Sequence, residues 1–122
     1  MIELIVWDTP PSGNSLRRKY RNPHVYARLR DSWGWSLAAA ASPNERSFLK
    51  GIPATGKRVR VIISVQHRQL LDPDNLYAAV KPILDSLVGL GWLRDDSEEH
   101  IELQAVQIKG EVAKTVIRME LI

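Results

Sequence analysis

The sequence predicts an α+β fold in a single domain, with two main helices packed on a mixed β-sheet. Three observations lead there. A chain of 122 residues with a 44% hydrophobic fraction has the size and composition of one globular core. Stretches with a two-residue apolar period alternate with stretches at three- and four-residue spacing, in the order strand, helix, strand, helix, strand, strand. No internal repeat or low-complexity tract interrupts that order, so residues 1–122 read as one unit.

Ile2 to Trp7 is a short apolar run that carries Glu3 and no basic start, so it reads as a strand rather than a secretion signal. Thr9-Pro10-Pro11-Ser12-Gly13-Asn14 closes it with residues whose restricted φ angles and side-chain hydrogen bonds form turns. The basic run Arg17, Arg18, Lys19 and Arg21 is expected in a loop. Val25, Tyr26, Leu29, Trp33 and Leu37 then mark one apolar face of a helix that should end by Ser42-Pro43. Pro43, Gly51, Pro53 and Gly56 give residues 43–57 the composition of a loop.

From Arg58 to His67, Val59, Val61, Ile63 and Val65 alternate with more polar positions, as in a strand at the sheet centre. Leu76, Val80, Ile83, Leu84 and Leu87 place a second helical region over residues 75–90, stopped by Gly89 and Gly91. Pro82 lacks an N–H and clashes with the preceding turn, so a kink near Lys81 or two abutting helices are expected. Residues 101–108 and 116–122 alternate as strands around a turn at Gly110-Glu111. The apolar parity of the first changes between Ala105 and Val106, which predicts a bulge or a strand covered on both faces.

Charge is distributed unevenly behind a net +3. Residues 1–60 hold eleven bases against four acids, whereas residues 61–122 hold six bases against ten acids, five of them Asp72, Asp74, Asp85, Asp95 and Asp96. A basic half beside a focused acidic cluster suits a polyanionic substrate and a divalent cation; a solvated surface is the other reading of the same charges. With no cysteine, the chain has no disulfide and no thiolate metal site, which fits the cytoplasm. No stretch approaches the roughly 20 apolar residues of a membrane-spanning helix. His24, His67 and His100 have no zinc-ligand spacing and are excluded as ligands. Trp33 belongs to the helical stripe, and Trp35 and Trp92 are assigned to core or dimer packing rather than to base stacking.

Asp72-Pro73-Asp74-Asn75 is the most informative tetrapeptide. Carboxylates two residues apart share a side only where the backbone is extended, and Pro73 favours that conformation at Asp72. A strand exit running into a helix start can then present both to one hard cation, since Mg²⁺ takes one or two carboxylates with water and phosphate oxygens completing the shell. Asp95-Asp96, beyond the second helix, can supply a remote acid. Helix capping by Asp74 or Asn75 and a simple turn at Asp95-Asp96 are the structural alternatives. Converging acids without a cation would repel by roughly 4 kcal/mol per pair at 4 Å and an effective dielectric near 20.

The run Asp72-Pro73-Asp74-Asn75-Leu76, then Lys81 and Asp85-Ser86-Leu87, then Gly91-Trp92-Leu93-Arg94-Asp95-Asp96 resembles the signature of the RusA family of Holliday-junction resolvases. The resemblance is close over residues 72–96 and looser elsewhere. It implies a homodimeric, Mg²⁺-dependent endonuclease, with Mn²⁺ as a substitute, that nicks opposed strands of a four-way DNA junction in recombination and repair. By motif position it makes Asp72, Asp74 and Asp96 the metal-binding, catalytic carboxylates. It selects Lys81 as the catalytic lysine by counting back four residues from Asp85, although Lys81 follows the Asp-Asn pair by three residues more than is usual. Arg17, Arg18, Lys19 and Arg21 are expected to neutralise DNA phosphates. Asp85 and Asp95 are read as solvent-exposed acids that can also act from behind the ligands. A DNA-binding module of the same fold that does not cut, and a nuclease for flaps or other branched DNA, are the competing readings.

Overall fold

The computed structural model describes residues 1–122 and contains a four-stranded mixed sheet. The strands are β1 (Ile2–Val6), β2 (Val59–His67), β3 (Ile101–Lys109) and β4 (Lys114–Leu121), in the order β1-β4-β2-β3. β4 runs antiparallel to both β1 and β2, and β3 runs parallel to β2. The alternation in β2 does what its pattern requires: Val59, Val61, Ile63 and Val65 are buried, and the strand lies inside the sheet.

The sheet order and register resolve the two C-terminal strands. β3 and β4 are not hydrogen-bonded neighbours, because β2 lies between them; their connection passes the end of β2, where the Gly110 N–H donates to the His67 carbonyl at 3.0 Å. The register of β3 against β2 is continuous from Ile101 to Lys109, so the change of parity is no bulge. Ile101 and Ala105 are buried on the core face, whereas Val106 is half-buried and Ile108 exposed on the other face.

Five α-helices accompany the sheet: α1 (Gly13–Lys19), α2 (Pro23–Ala40), α3 (Pro43–Gly51), α4 (Pro73–Ala79) and α5 (Lys81–Gly89). α2 and the α4–α5 region are the two expected helices. α1 and α3 replace expected loops, and the cause is the same in both: residues that make turns also start helices. The Ser12 hydroxyl accepts from the Ser15 N–H at 3.1 Å, so Ser12-Gly13-Asn14 opens α1 and carries Arg17, Arg18 and Lys19 into its last turn. Ser42 and Glu45 form a reciprocal capping box around Pro43 at the start of α3. Within residues 43–57 only Gly56, at φ 67° after a short 3₁₀ turn over Pro53–Thr55, takes the left-handed conformation that loop glycines provide.

The break at Pro82 falls where proline chemistry places it. α4 ends at Ala79, and α5 restarts with Lys81 and Pro82 in its first turn, where a missing N–H costs no helical bond. α5 then closes in a Schellman arrangement: the Trp92 N–H donates to the Leu87 carbonyl, the Gly91 N–H donates to the Val88 carbonyl, and Gly91 has φ 77°. That reversal buries Trp92 and Leu93 in the same core as Trp33, Leu37, Ile83 and Leu87. It also sends Asp95 and Asp96 back beside α5. No helix is long and apolar enough to cross a membrane.

Candidate functional site

The first half of the site is built at the end of β2. Beyond His67 the chain leaves the sheet, and the Gln107 side chain of β3 takes over the bonding that a further strand residue would make. Gln107 Nε2 donates to the Leu71 carbonyl at 2.6 Å, and the Leu71 N–H donates to Gln107 Oε1 at 2.9 Å. His67 Nε2 lies 2.9 Å from the same oxygen and acts as donor there, because an amide oxygen only accepts. With Leu71 pinned, Asp72 follows in extended conformation, φ −67° and ψ 160°, and becomes the N-cap of α4. One of its oxygens accepts from the Asn75 N–H and the other from Asn75 Nδ2, both at 3.0 Å. Asp74 stands exposed in the first turn, so two carboxylates gather where the helix dipole favours negative charge.

α1 lies directly against this end. Gly13 is buried at the crossing, and a β-carbon there would come within 2.8 Å of both Asn75 Oδ1 and Ala78 Cβ. Asn75 thereby becomes a bridge: it donates to Asp72 and accepts from the Arg17 guanidinium at 3.3 Å, which also donates to Asn14 Oδ1 at 2.5 Å. Arg17, Arg18, Lys19 and Arg21 are all exposed. Arg17 is thus held one side chain away from the Asp72 carboxylate.

The second half of the site is assembled by Lys81 at the start of α5. Its ammonium makes an ion pair with Asp96, on the loop after α5, and another at 3.1 Å with Asp85, one helical turn along. Asp85 Oδ2 also accepts a hydrogen bond from the Tyr26 hydroxyl of α2. The Asp96 N–H donates to Asp95 Oδ1 at 2.9 Å, which fixes the turn that delivers Asp96. Burial works against the charged form of Lys81, but its bonds to Asp96 and Asp85 outweigh that and raise its pKa above the ordinary lysine range. The Lys81 hydrogen bond holds Asp96 below the usual carboxylate value despite some burial. Burial, then the Asp85 hydrogen bond and charge, push the Tyr26 phenol well above its usual range, so it remains a donor. A cleft of about 660 Å³ opens beside this cluster between α2 and α5, with Asp31, Trp35, Asp85, Asp95 and Asp96 among its lining.

The expected site residues therefore fall into two groups. Asp72, Asp74 and Arg17 share the α4 N-terminus, with Arg18 and Lys19 on the same helix as Arg17 and Arg21 just beyond it. Lys81 and Asp96 meet in the second group, which also recruits Asp85. No three histidine, aspartate or glutamate side chains come together as a metal-ligand group, so Asp72, Asp74 and Asp96 do not converge as one ligand set in this arrangement. The donor chemistry still suits Mg²⁺ or Mn²⁺, because Asp72 and Asp74 are oxygen donors and each Asp72 oxygen retains a further lone pair beyond its bond to Asn75. Tyr26 and Gln107 are the participants that sequence reasoning missed. Tyr26 sits on an apolar helical stripe and reads as core, whereas Gln107 carries a signal: it is a polar residue in phase with Ile101 and Ala105 on the core face of β3.

No family model matches this chain, and no curated protein matches it either.

Proposed function

We propose that the chain is a Mg²⁺- or Mn²⁺-dependent endodeoxyribonuclease that nicks four-way junctions or related branched DNA, acting as a homodimer in the cytoplasm. The observation that carries this reading is the contact between Lys81 and Asp96. It joins the lysine-bearing helix to the closing Asp-Asp pair, two separated parts of the stretch that resembles the RusA family. The resemblance supplies the substrate and the two-fold assembly; a two-fold dimer matches a junction with two equivalent strands to cut.

In this reading Arg17, Arg18, Lys19 and Arg21 neutralise backbone phosphates and draw the strand to the α4 N-terminus. Asp72 and Asp74 hold the cation, and Asp96 is the third carboxylate, engaged by Lys81. When bound, the cation supplies Lewis acidity at a phosphodiester oxygen. The Lys81 ammonium, held by Asp85 and Asp96, would offset negative charge on the phosphoryl oxygens as a water oxygen bonds to phosphorus, giving its proton to solvent, and the P–O bond to the leaving strand breaks, the leaving oxygen taking a proton from solvent.

A second reading, a junction-binding module that does not cut, is favoured by one observation: the carboxylates do not converge on a common point. A synthetic four-way junction incubated with the protein and Mg²⁺ or Mn²⁺ separates the two. Paired nicks, with linear duplex left almost intact, support the nuclease. Tight junction binding without products in either metal supports the binding module.

A further inference from the structure

We propose that Tyr26 is a positioning residue for Lys81, acting through Asp85. Three elements contribute one group each to a single chain of contacts. Tyr26 of α2 donates to Asp85 Oδ2, Asp85 Oδ1 lies 3.1 Å from the Lys81 ammonium on α5, and that ammonium reaches Asp96 on the following loop.

The geometry needs Tyr26 for a definite reason. Lys81 ends in a flexible four-carbon stem, and its side chain is 52% exposed. Spacing of four residues along one helix brings Lys81 and Asp85 together but restrains them weakly, because both side chains rotate on the same surface. A carboxylate with one oxygen bound from a neighbouring helix has lost that freedom. Tyr26 is half-buried on α2, which packs against α5, so its hydroxyl is delivered from a neighbouring helix. A hydroxyl bonded to an ionised carboxylate is a strong anchor. With Oδ2 anchored by Tyr26, Oδ1 is held toward Lys81, and Asp85 becomes a fixed post rather than a swinging partner. The ammonium then points at Asp96 instead of sampling solvent. Nothing in the chemistry of phosphodiester cleavage asks Tyr26 to touch DNA or the cation.

The consequence for rate rests on the nuclease reading; the effect on the Lys81 ammonium does not. Tyr26→Phe keeps the ring and removes the hydroxyl alone. On a four-way junction, this variant is expected to lower kcat by about tenfold to a hundredfold, the scale of a misplaced catalytic group, with KM unchanged. Tyr26→Phe combined with Asp85→Asn should cut no more slowly than Asp85→Asn alone, because the hydroxyl acts only through that carboxylate. A double variant in which the two losses multiply overturns the proposal, as does an unchanged kcat in Tyr26→Phe while the parent protein cuts.

A measurement without DNA keeps the two ideas apart. The ¹⁵N signal of the Lys81 ammonium, assigned by its loss in Lys81→Ala, should exchange slowly in the parent protein and broaden away in Tyr26→Phe. A signal that persists in Tyr26→Phe, or that is absent from the parent, overturns the positioning role. If the parent cuts no branched DNA but its ammonium signal depends on Tyr26, the nuclease reading fails and the positioning role stands.

Discussion

The two acidic regions of this molecule differ in what neutralises them. At the start of α4, both partners of the Asp72 carboxylate are neutral groups of Asn75, Asp74 is exposed, and neither acid takes part in any of the chain's ion pairs. Around Lys81, Asp85 and Asp96 share one internal cation, and their side chains are only 26% and 24% exposed. The first region leaves its negative charge without a cationic partner in the chain. The second spends its charge on holding a lysine. Acids that look equivalent in the sequence therefore divide into a receptive pair and a self-neutralised pair, and substitutions should expose that division.

Asp74→Asn should give the largest effect. The amide fills the same volume and removes the charge that would hold a divalent cation, so junction cleavage should fall by at least about 10²–10³-fold, with the fold and junction binding intact. Rates measured beside circular dichroism and gel-shift affinity check this. Unchanged cleavage would remove the α4 end from the site.

Lys81→Ala attacks the other region and should lower the cleavage rate on the order of 10²-fold while changing junction affinity little. It also leaves Asp85 and Asp96 facing each other without their cation. Cleavage of the variant at the parent rate would show that the cluster is structural only.

Arg17→Ala tests the basic helix beside the receptive pair. Junction affinity should weaken similarly across sequences, and the slope of log affinity against log salt should become shallower by about 1, as expected for one lost phosphate contact. An unchanged salt slope would place the DNA elsewhere.

The smallest effect is in pH. Because Lys81 depresses the Asp96 pKa in the folded chain, the pair contributes stability above the ordinary aspartate value of ~3.9, and that contribution is lost as pH falls through the lower folded value. The raised Lys81 pKa adds stability below the unfolded lysine value of ~10.4, lost only as pH rises through the folded one. Thermal melting should therefore show no loss from this pair across neutral pH and a loss below about pH 4 that is absent in Asp96→Asn.

The architecture was legible wherever a period was long and apolar. β2, α2 and the interrupted α4–α5 region follow from Val59 to Val65, from Val25 to Leu37 and from Pro82. α1 and α3 were hidden because Ser12, Gly13, Ser42, Pro43 and Gly51 serve turns and helix ends alike, and only the cap hydrogen bonds decide between them. The neighbours of β3 and β4 were hidden for a different reason: a short connection is compatible with a hairpin, and strand order depends on how β2 inserts between them. In the candidate site, the pairing of Lys81 with Asp85 follows from four-residue helical spacing, whereas the approach of Asp96 to Lys81 depends on the path of the loop after α5. The Tyr26 bond to Asp85 spans 59 residues and had no local signature. That Asp72, Asp74 and Asp96 form no three-acid ligand group was equally invisible, because the place of Asp96 depends on where the Gly91 reversal sends the chain.

The claim on which the proposed function rests most heavily is that the exposed pair at the start of α4, rather than the cluster around Lys81, receives the cation. Paramagnetic Mn²⁺ broadens the amide signals nearest to it, so titrating a ¹⁵N-labelled chain with Mn²⁺ locates the site directly. The expected result is selective broadening over residues 72–76, abolished in Asp74→Asn. Broadening centred on Asp85 and Asp96, or broadening over residues 72–76 that survives in Asp74→Asn, would contradict it.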